Sequence, residues 1–190
     1  REVLAQAWSG WSRAGEREAF EAFCARESDW LDAYALYAAL KEHHDQKSWR
    51  DWDTAYVTRQ PEALQAARLE LAASIERHKF YQWVFAEQWS ALRAYAQARG
   101  VRMIGDIPIF VAMDSSDVWA ERQLFKLDER GHAEVVAGVP PDYFSETGQK
   151  WGNPVYDWDI NAREGWRWWI ARVRHATRQM DLVRIDHFRG

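Results

Sequence analysis

Two stretches of the chain repeat one order of elements: a long helical pattern, then a short apolar run that closes on an aspartate. The first spans residues 74–106 and ends at Asp106, and the second spans residues 162–186 and ends at Asp186. Two successive helix-then-strand units enter a sheet from the same end, so their strands are expected to run parallel. This order predicts an α/β fold.

Helical periodicity accounts for most of the first hundred residues. Apolar side chains recur at three- and four-residue spacing over 16–40 and over 62–99, which predicts two long helices. Pro61 is placed to open the second helix, because the N–H that proline lacks has no partner at the first helical position. The length of this run predicts a bend or break near Arg77–Phe80, and Gly100 marks its expected end.

Turn-forming residues dominate 111–160, where loops and at most short elements are predicted. Asn161, with Glu164 three residues later, predicts a capping box at the start of the next helix. We divide the chain into a helical part at 1–99 and a part at 100–190 that carries both strands. Residues 111–160 form an inserted loop in the second part and are a candidate for an active-site loop.

The second strand ends in a pair of opposite charges. Side chains alternate along a strand, so Arg184 and Asp186 are expected on one face. An arginine beside a carboxylate favours the ionised carboxylate and orients it, and a carboxylate nucleophile needs both effects. The alternative is a buried ion pair that only fixes local geometry. Asp106 favours the functional interpretation, because active sites of α/β barrels lie where the strands end.

Aromatic and polar side chains are interleaved in the loop between the two acids. These side chains are Tyr143, Phe144, Trp151, Tyr156, Asp142, Glu146, Gln149 and Asn153. Such a mixture suits a ligand that is apolar on its ring faces and polar around its edge, as a sugar is. The 13 Trp of the chain also favour carbohydrate. An Ω-loop packed on its own aromatic residues is the alternative.

Composition disfavours several classes of ligand. The net charge of −4 and the isoelectric point near 5.9 argue against a nucleic-acid partner, which would require a basic face. The apolar stretches are far shorter than a membrane span. Cys24 is the single cysteine, which excludes an internal disulfide and suits a reducing, cytoplasmic location. The adjacent His43 and His44 are interpreted as solvated surface residues, and neither a metal nor a cofactor is predicted.

The chain contains three motifs in this order: "GDIPIFVAMDSSDVW", "VVAGVPPDYFSETGQKWGNPVYDWD" and "LVRIDHFRG". Together they resemble the amylomaltases, the 4-α-glucanotransferases of glycoside hydrolase family 77. The resemblance implies part of a (β/α)8 TIM barrel, about its third and fourth strands, with an inserted, mainly helical subdomain. It also implies an enzyme that transfers α-1,4-glucan segments to glucose or maltooligosaccharide acceptors with retention of configuration.

The resemblance further implies roles for individual residues. Asp186 matches the nucleophile that forms a covalent glycosyl-enzyme, and Arg184 matches the residue that orients it. Asp106 matches an acid that shapes the donor subsite. The other residues expected to contact substrate are His187, then Tyr143, Phe144, Glu146 and Trp151 of a mobile loop over the cleft, and Asn153, which is added from the composition of that loop.

Retaining chemistry needs a second carboxyl group, which acts first as an acid and then as a base. In the family this glutamate follows the "RIDHFRG" segment, so the chain is expected to be an internal fragment that lacks it and is inactive alone. Two other functions stay open as alternatives. One is a non-catalytic glucan-binding module, and the other is a hydrolase of the α-amylase kind.

Overall fold

The computed structural model describes residues 2–14, 17–141, 143 and 145–186 of the chain. The chain divides into two compact units, with the division between Leu92 and Arg93. Among the described residues, strands occur only in the second unit. No helix within the described ranges has both the length and the apolar character that crossing a bilayer requires.

The first unit is built of helices around an aromatic and aliphatic core. Its elements are α1 (Glu2–Ala14), α2 (Arg17–Arg26), α3 (Ser28–His43), a 3-10 turn (Trp49–Asp51), α4 (Thr54–Val57), α5 (Pro61–Glu70) and α6 (Ala72–Gln97), which continues into the second unit. Pro61 occupies the first turn of α5, as predicted. Leu31, Leu40 and Trp49 are fully buried, and the Trp11 ring lies 4.8 Å from that of Phe80.

Both long helical patterns are confirmed in type, and each is interrupted once. The first is interrupted at Glu27, between α2 and α3. The second is interrupted at Leu71, between α5 and α6, so the predicted break near Arg77–Phe80 does not occur there, because α6 is continuous through those residues. Phe80 is buried, and Arg77 forms an ion pair with Glu42 of α3. These tertiary contacts favour a continuous α6 at the position where length alone predicted a bend or break.

The described residues of the second unit form two small sheets and, after the end of α6, four short or medium helical segments. Its elements are β1 (Ile104–Pro108), α7 (Ser116–Ala120), a 3-10 turn (Arg122–Leu124), β2 (Val136–Val139), β3 (Gln149–Pro154), α8 (Trp158–Arg163), α9 (Arg167–Gln179) and β4 (Leu182–Asp186). Strands β2 and β3 pair antiparallel. The inserted loop at 111–160 thus holds short elements only, as predicted.

Strands β1 and β4 pair directly and run parallel, as predicted. The expected end of β1 at Asp106 is wrong, because the strand continues to Pro108, which lies opposite Asp186. Proline usually signals the end of a strand, but it is tolerated on an edge strand where no N–H of its own is required. Asp106 consequently lies in the middle of β1, opposite Arg184, and only Asp186 occupies a strand end.

Of the two helix ends predicted near the strands, the end of α6 at Gly100 is confirmed and the start of the later helix at Asn161 is not. Gly100 has a φ of +74°, and the Val101 N–H donates to the Ala96 carbonyl at 3.1 Å, so α6 ends as predicted. The capping box at Asn161 is wrong. Asp157 caps α8 by accepting from the Ile160 N–H at 3.0 Å, and the buried Asn161 amide donates instead to the Leu124 carbonyl at 3.1 Å.

Candidate active site

A line of three charged side chains crosses the β1–β4 sheet near its carboxyl end. The Arg184 guanidinium donates from Nε to Asp106 Oδ1 at 3.0 Å and from Nη2 to Asp106 Oδ2 at 2.5 Å. The same Nη2 lies 3.8 Å from Asp186 Oδ2. Arg184 therefore binds one carboxylate with both arms of its guanidinium and holds the second at ion-pair distance.

The surroundings of Arg184 favour its charged form and leave the line open to solvent. Hydrogen bonds to Asp106 and its negative charge, followed by the charge of Asp186, raise the pKa of Arg184 above its ordinary value. The side chains of Asp106, Arg184 and Asp186 are 50%, 63% and 43% exposed. A ligand can therefore reach both carboxylates, of which Asp106 takes the bidentate contact.

A second charged cluster, which the sequence did not reveal, holds the opposite ends of the same two strands. Asp181, directly before β4, accepts from Arg93 Nη2 at 2.7 Å, from Gln97 Nε2 at 2.6 Å and from the Met103 N–H at 2.8 Å. The backbone N–H of Met103 and the side chains of Arg93 and Gln97 lower the pKa of Asp181 to about 2. This carboxylate ties the end of α6 to the beginnings of β1 and β4, and so fixes the register that pairs Arg184 with Asp106.

The loop residues Trp151 and Asn153 lie on β3 and are attached to the chain that leaves β1. The Asn153 side-chain amide donates to the Val111 carbonyl at 2.8 Å. The Trp151 ring meets the Phe110 ring in an edge-on contact with centroids 6.3 Å apart, and its Nε1–H donates to Gln149 Oε1 at 3.0 Å. Trp151 and Asn153, both predicted to contact ligand, are therefore attached to the backbone segment that follows β1. Their contacts there are with Phe110 and Val111, two and three residues after Pro108.

The other predicted loop residues lie on the connection between β2 and β3. Tyr143 is 98% exposed, and Glu146 is also exposed. Phe144 and His187 lie outside the described residues. The structure therefore brings Asp106, Arg184 and Asp186 together and links Trp151 and Asn153 to the neighbouring segment, and it leaves Tyr143 and Glu146 at the surface.

The same loop also carries a packed aromatic centre, which the Ω-loop interpretation had anticipated. The Tyr156 side chain is fully buried, and its ring centroid lies 4.9–6.0 Å from those of Phe110, Phe125, Trp158, Trp168 and Trp169. Its hydroxyl donates to the Ile109 carbonyl at 2.7 Å. The loop thus combines a rigid aromatic anchor with exposed aromatic and polar side chains.

Within the described ranges, no three His, Cys, Asp or Glu side chains come together in an arrangement that could hold a metal ion. Of the adjacent histidines, His44 is not a solvated surface residue as interpreted from the sequence. Its ring stacks on Trp52 with centroids 5.3 Å apart, and burial, followed by the neighbouring charge of His43, lowers its pKa.

Comparison with known proteins decides the family. Residues 1–190 match the family model of glycoside hydrolase family 77, described as 4-alpha-glucanotransferase. The chain belongs to this family. It is 55% identical over 175 residues to a 4-alpha-glucanotransferase of Thermus thermophilus, a match that covers 92% of this chain and 35% of the relative. A 4-alpha-glucanotransferase of Synechocystis is 47% identical over 191 residues, which cover 100% of this chain and 38% of the relative.

A solved structure of this family has the same fold. The amylomaltase from Streptococcus agalactiae, in complex with acarbose, superposes with a TM-score of 0.94 at 38% identity, over 100% of this chain and 39% of that one. The resemblance found in the sequence is confirmed, and the mixed helix–strand fold is that of part of an amylomaltase. The chain spans between 35% and 39% of the length of these three proteins.

Proposed function

We propose that this chain supplies the nucleophile and part of the donor site of a 4-α-glucanotransferase. The observation that carries the proposal is the line of Asp106, Arg184 and Asp186, in which Arg184 binds Asp106 with both arms and keeps Asp186 within 3.8 Å. Membership of a family described as 4-alpha-glucanotransferase supports the same assignment. We place β1 and β4 as the third and fourth strands of a (β/α)8 barrel, with the helices of 1–99 as an inserted subdomain and barrel-packing helices.

The proposed reaction has two displacements at one anomeric carbon. Asp186 attacks this carbon of the donor glucan, and the C–O bond to the leaving sugar breaks while a general acid protonates the departing oxygen. An acceptor hydroxyl then loses its proton to the same group and displaces Asp186, so an α-1,4 link forms again with retained configuration. Arg184 orients the attacking carboxylate, and Asp106 anchors Arg184 and accepts hydrogen bonds from donor hydroxyls.

The general acid/base is proposed to come from outside residues 1–190. Both oxygens of Asp106 accept hydrogen bonds from Arg184, so Asp106 is arranged as an acceptor and not as a proton donor. The chain also covers only 38% of the Synechocystis relative. We therefore expect the 190 residues alone to bind glucan weakly and to leave it unchanged.

The proposed substrates are maltooligosaccharides and longer α-1,4-glucans. The Streptococcus agalactiae amylomaltase was solved with acarbose, and Trp151 and Asn153 of this chain, which lie on β3, contact the segment that follows β1. We assign substrate contacts to Tyr143, Phe144, Glu146, Trp151, Asn153 and His187. On the basis of the single cysteine, we also propose a cytoplasmic location.

The test uses a chimera in which residues 1–190 replace the matching segment of the Synechocystis relative, referred to below as the chimera. Incubated with maltotriose, it should release glucose and form longer glucans. Asp186→Asn should lower this activity about a thousandfold or more, because a neutral amide cannot form the glycosyl ester. Asp159→Asn, at an exposed acid of α8, is the matched control and should be unchanged.

Covalent trapping and product analysis separate the competing functions. An activated glycosyl fluoride should add one glycosyl mass to the peptide that contains Asp186, and the Asp186→Asn variant should not be labelled. Normal turnover by that variant would refute the nucleophile assignment. Products that are only shorter than the substrate would indicate a hydrolase of the α-amylase kind, and glucan binding with no labelling would indicate a binding module.

A further inference from the structure

Arg172 of α9 reaches three acceptors that belong to two separate parts of the second unit. Its Nη2 donates to the Pro108 carbonyl at 2.6 Å, and its Nη1 lies 3.3 Å from both the Ile109 carbonyl and the Tyr156 hydroxyl oxygen. The first two acceptors are the last residue of β1 and the residue that follows it, and the third lies at the end of the aromatic loop. One guanidinium therefore joins a helix, a strand end and the loop.

These contacts lie beside the proposed reaction centre. Pro108 is the residue that the sheet register places opposite Asp186. The aromatic loop also donates to the backbone just after Pro108. The Tyr156 hydroxyl donates to the Ile109 carbonyl at 2.7 Å, and the Asn153 amide donates to the Val111 carbonyl at 2.8 Å. The segment 108–111, which begins at the last residue of β1, is thus held between α9 and the loop, and we call this set of contacts the clamp.

The chemistry at this position requires an arginine. Its forked guanidinium can donate to two carbonyls and a hydroxyl at once, whereas the single ammonium of a lysine cannot cover the same spread. The guanidinium carbon also lies 5.2 Å from the ring centroids of both Trp168 and Trp169, so two aromatic rings favour the cation. Asp117 of α7 adds a compensating charge. Burial raises the pKa of Asp117, while Arg172 and a hydrogen bond from Trp168 oppose that rise.

We propose that Arg172 is a positioning residue for glucan transfer, which holds segment 108–111 and the loop at 151–156 in fixed relation to Asp186. This rests on the proposed function, because Trp151 and Asn153 are the substrate contacts that the clamp would place. A displacement of about 1 Å at a reacting centre can cost about a hundredfold in rate. Loosening the clamp should therefore slow transfer and let water compete with the acceptor sugar.

The experiment compares Arg172→Met and Arg172→Lys with Arg174→Met and Arg174→Lys in the chimera. Arg174 lies on the same helix with an exposed side chain, which makes its variants matched controls. Transfer rates are divided by the concentration of active sites from covalent trapping, so that a loss of folded protein does not count as a loss of rate. Arg172→Met should lower kcat for transfer 10- to 100-fold and raise the ratio of hydrolysis to transfer. Arg172→Lys should recover part of both.

Hydrogen–deuterium exchange supplies a readout that does not depend on activity. Peptides covering 104–112 and 149–157 should exchange faster in both Arg172 variants than in the Arg174 controls. A transfer rate per active site and an exchange pattern equal to those of the controls would overturn the role of Arg172. Failure of the unsubstituted chimera to transfer would count against the proposed function instead, and unchanged exchange in the Arg172 variants would still refute the clamp.

Discussion

Tyr156 offers a quantitative test of how the backbone beside the site is held. We predict that Tyr156→Phe lowers the free energy of unfolding by about 0.5–1.5 kcal/mol, the usual net value of one hydrogen bond. The hydroxyl is lost from a fully buried side chain, where it donates to the Ile109 carbonyl at 2.7 Å. Phenylalanine fills the same ring position among the surrounding aromatic residues, so no cavity term is added.

The small size of this loss depends on Arg172. After the substitution, Arg172 Nη1 still lies 3.3 Å from the Ile109 carbonyl, so the carbonyl keeps a donor. If Arg172 is first replaced by methionine, the same tyrosine substitution leaves that carbonyl without either donor, which adds about 1–3 kcal/mol. The double variant should therefore be less stable than the sum of the two single changes by at least about 1 kcal/mol.

The assay is urea unfolding of the chimera and its variants, followed by Trp fluorescence. The rings of Trp168 and Trp169 lie 5.8 Å and 5.1 Å from that of Tyr156, so their emission reports on this region. Tyr95→Phe, at a tyrosine that is 58% exposed, is the control and should change stability by less than about 0.5 kcal/mol. A Tyr156→Phe cost within that same limit, or strict additivity with Arg172→Met, would refute the shared-acceptor reasoning.

Two further predictions concern the frame around the strands. Asp181 has a folded pKa of about 2, below its ordinary value of 3.8, so its contribution to stability is present above pH 3.8 and is lost as the pH falls through 2. The unsubstituted chimera and its Asp181→Asn variant should therefore differ less in free energy of unfolding as the pH falls from 3.8 to 2. Urea titrations at several pH values measure this difference, and a constant difference would contradict the assigned contacts. Gly100→Ala should destabilise by about 1 kcal/mol, because alanine at a φ of +74° is strained even with open space around its Cβ. Gly10→Ala, within α1, should instead be neutral or stabilising, and urea unfolding of both variants checks the difference.

Local patterns in the sequence predicted which segments are helices or strands and that Arg184 and Asp186 share one face. Helical periodicity and the two strand-like runs are read within windows of a few residues, and the parallel pairing of β1 with β4 followed from their order. Alternation along a strand was sufficient to place Arg184 and Asp186 on one face, which their separation of 3.8 Å supports. The three motifs were likewise sufficient to identify the family.

The partners of these groups depended on contacts between distant parts of the chain. Arg184 binds Asp106 across 78 residues, Arg172 binds Pro108 across 64, and Asp181 accepts from Met103 across 78. No short window contains both members of such a pair, and a register shift of one residue would reverse every face in β1 and β4. The sequence therefore specified the helices, the strand order and the acid at 186, whereas folding selected its neighbours, because hydrogen bonds between distant residues form only after the elements have packed.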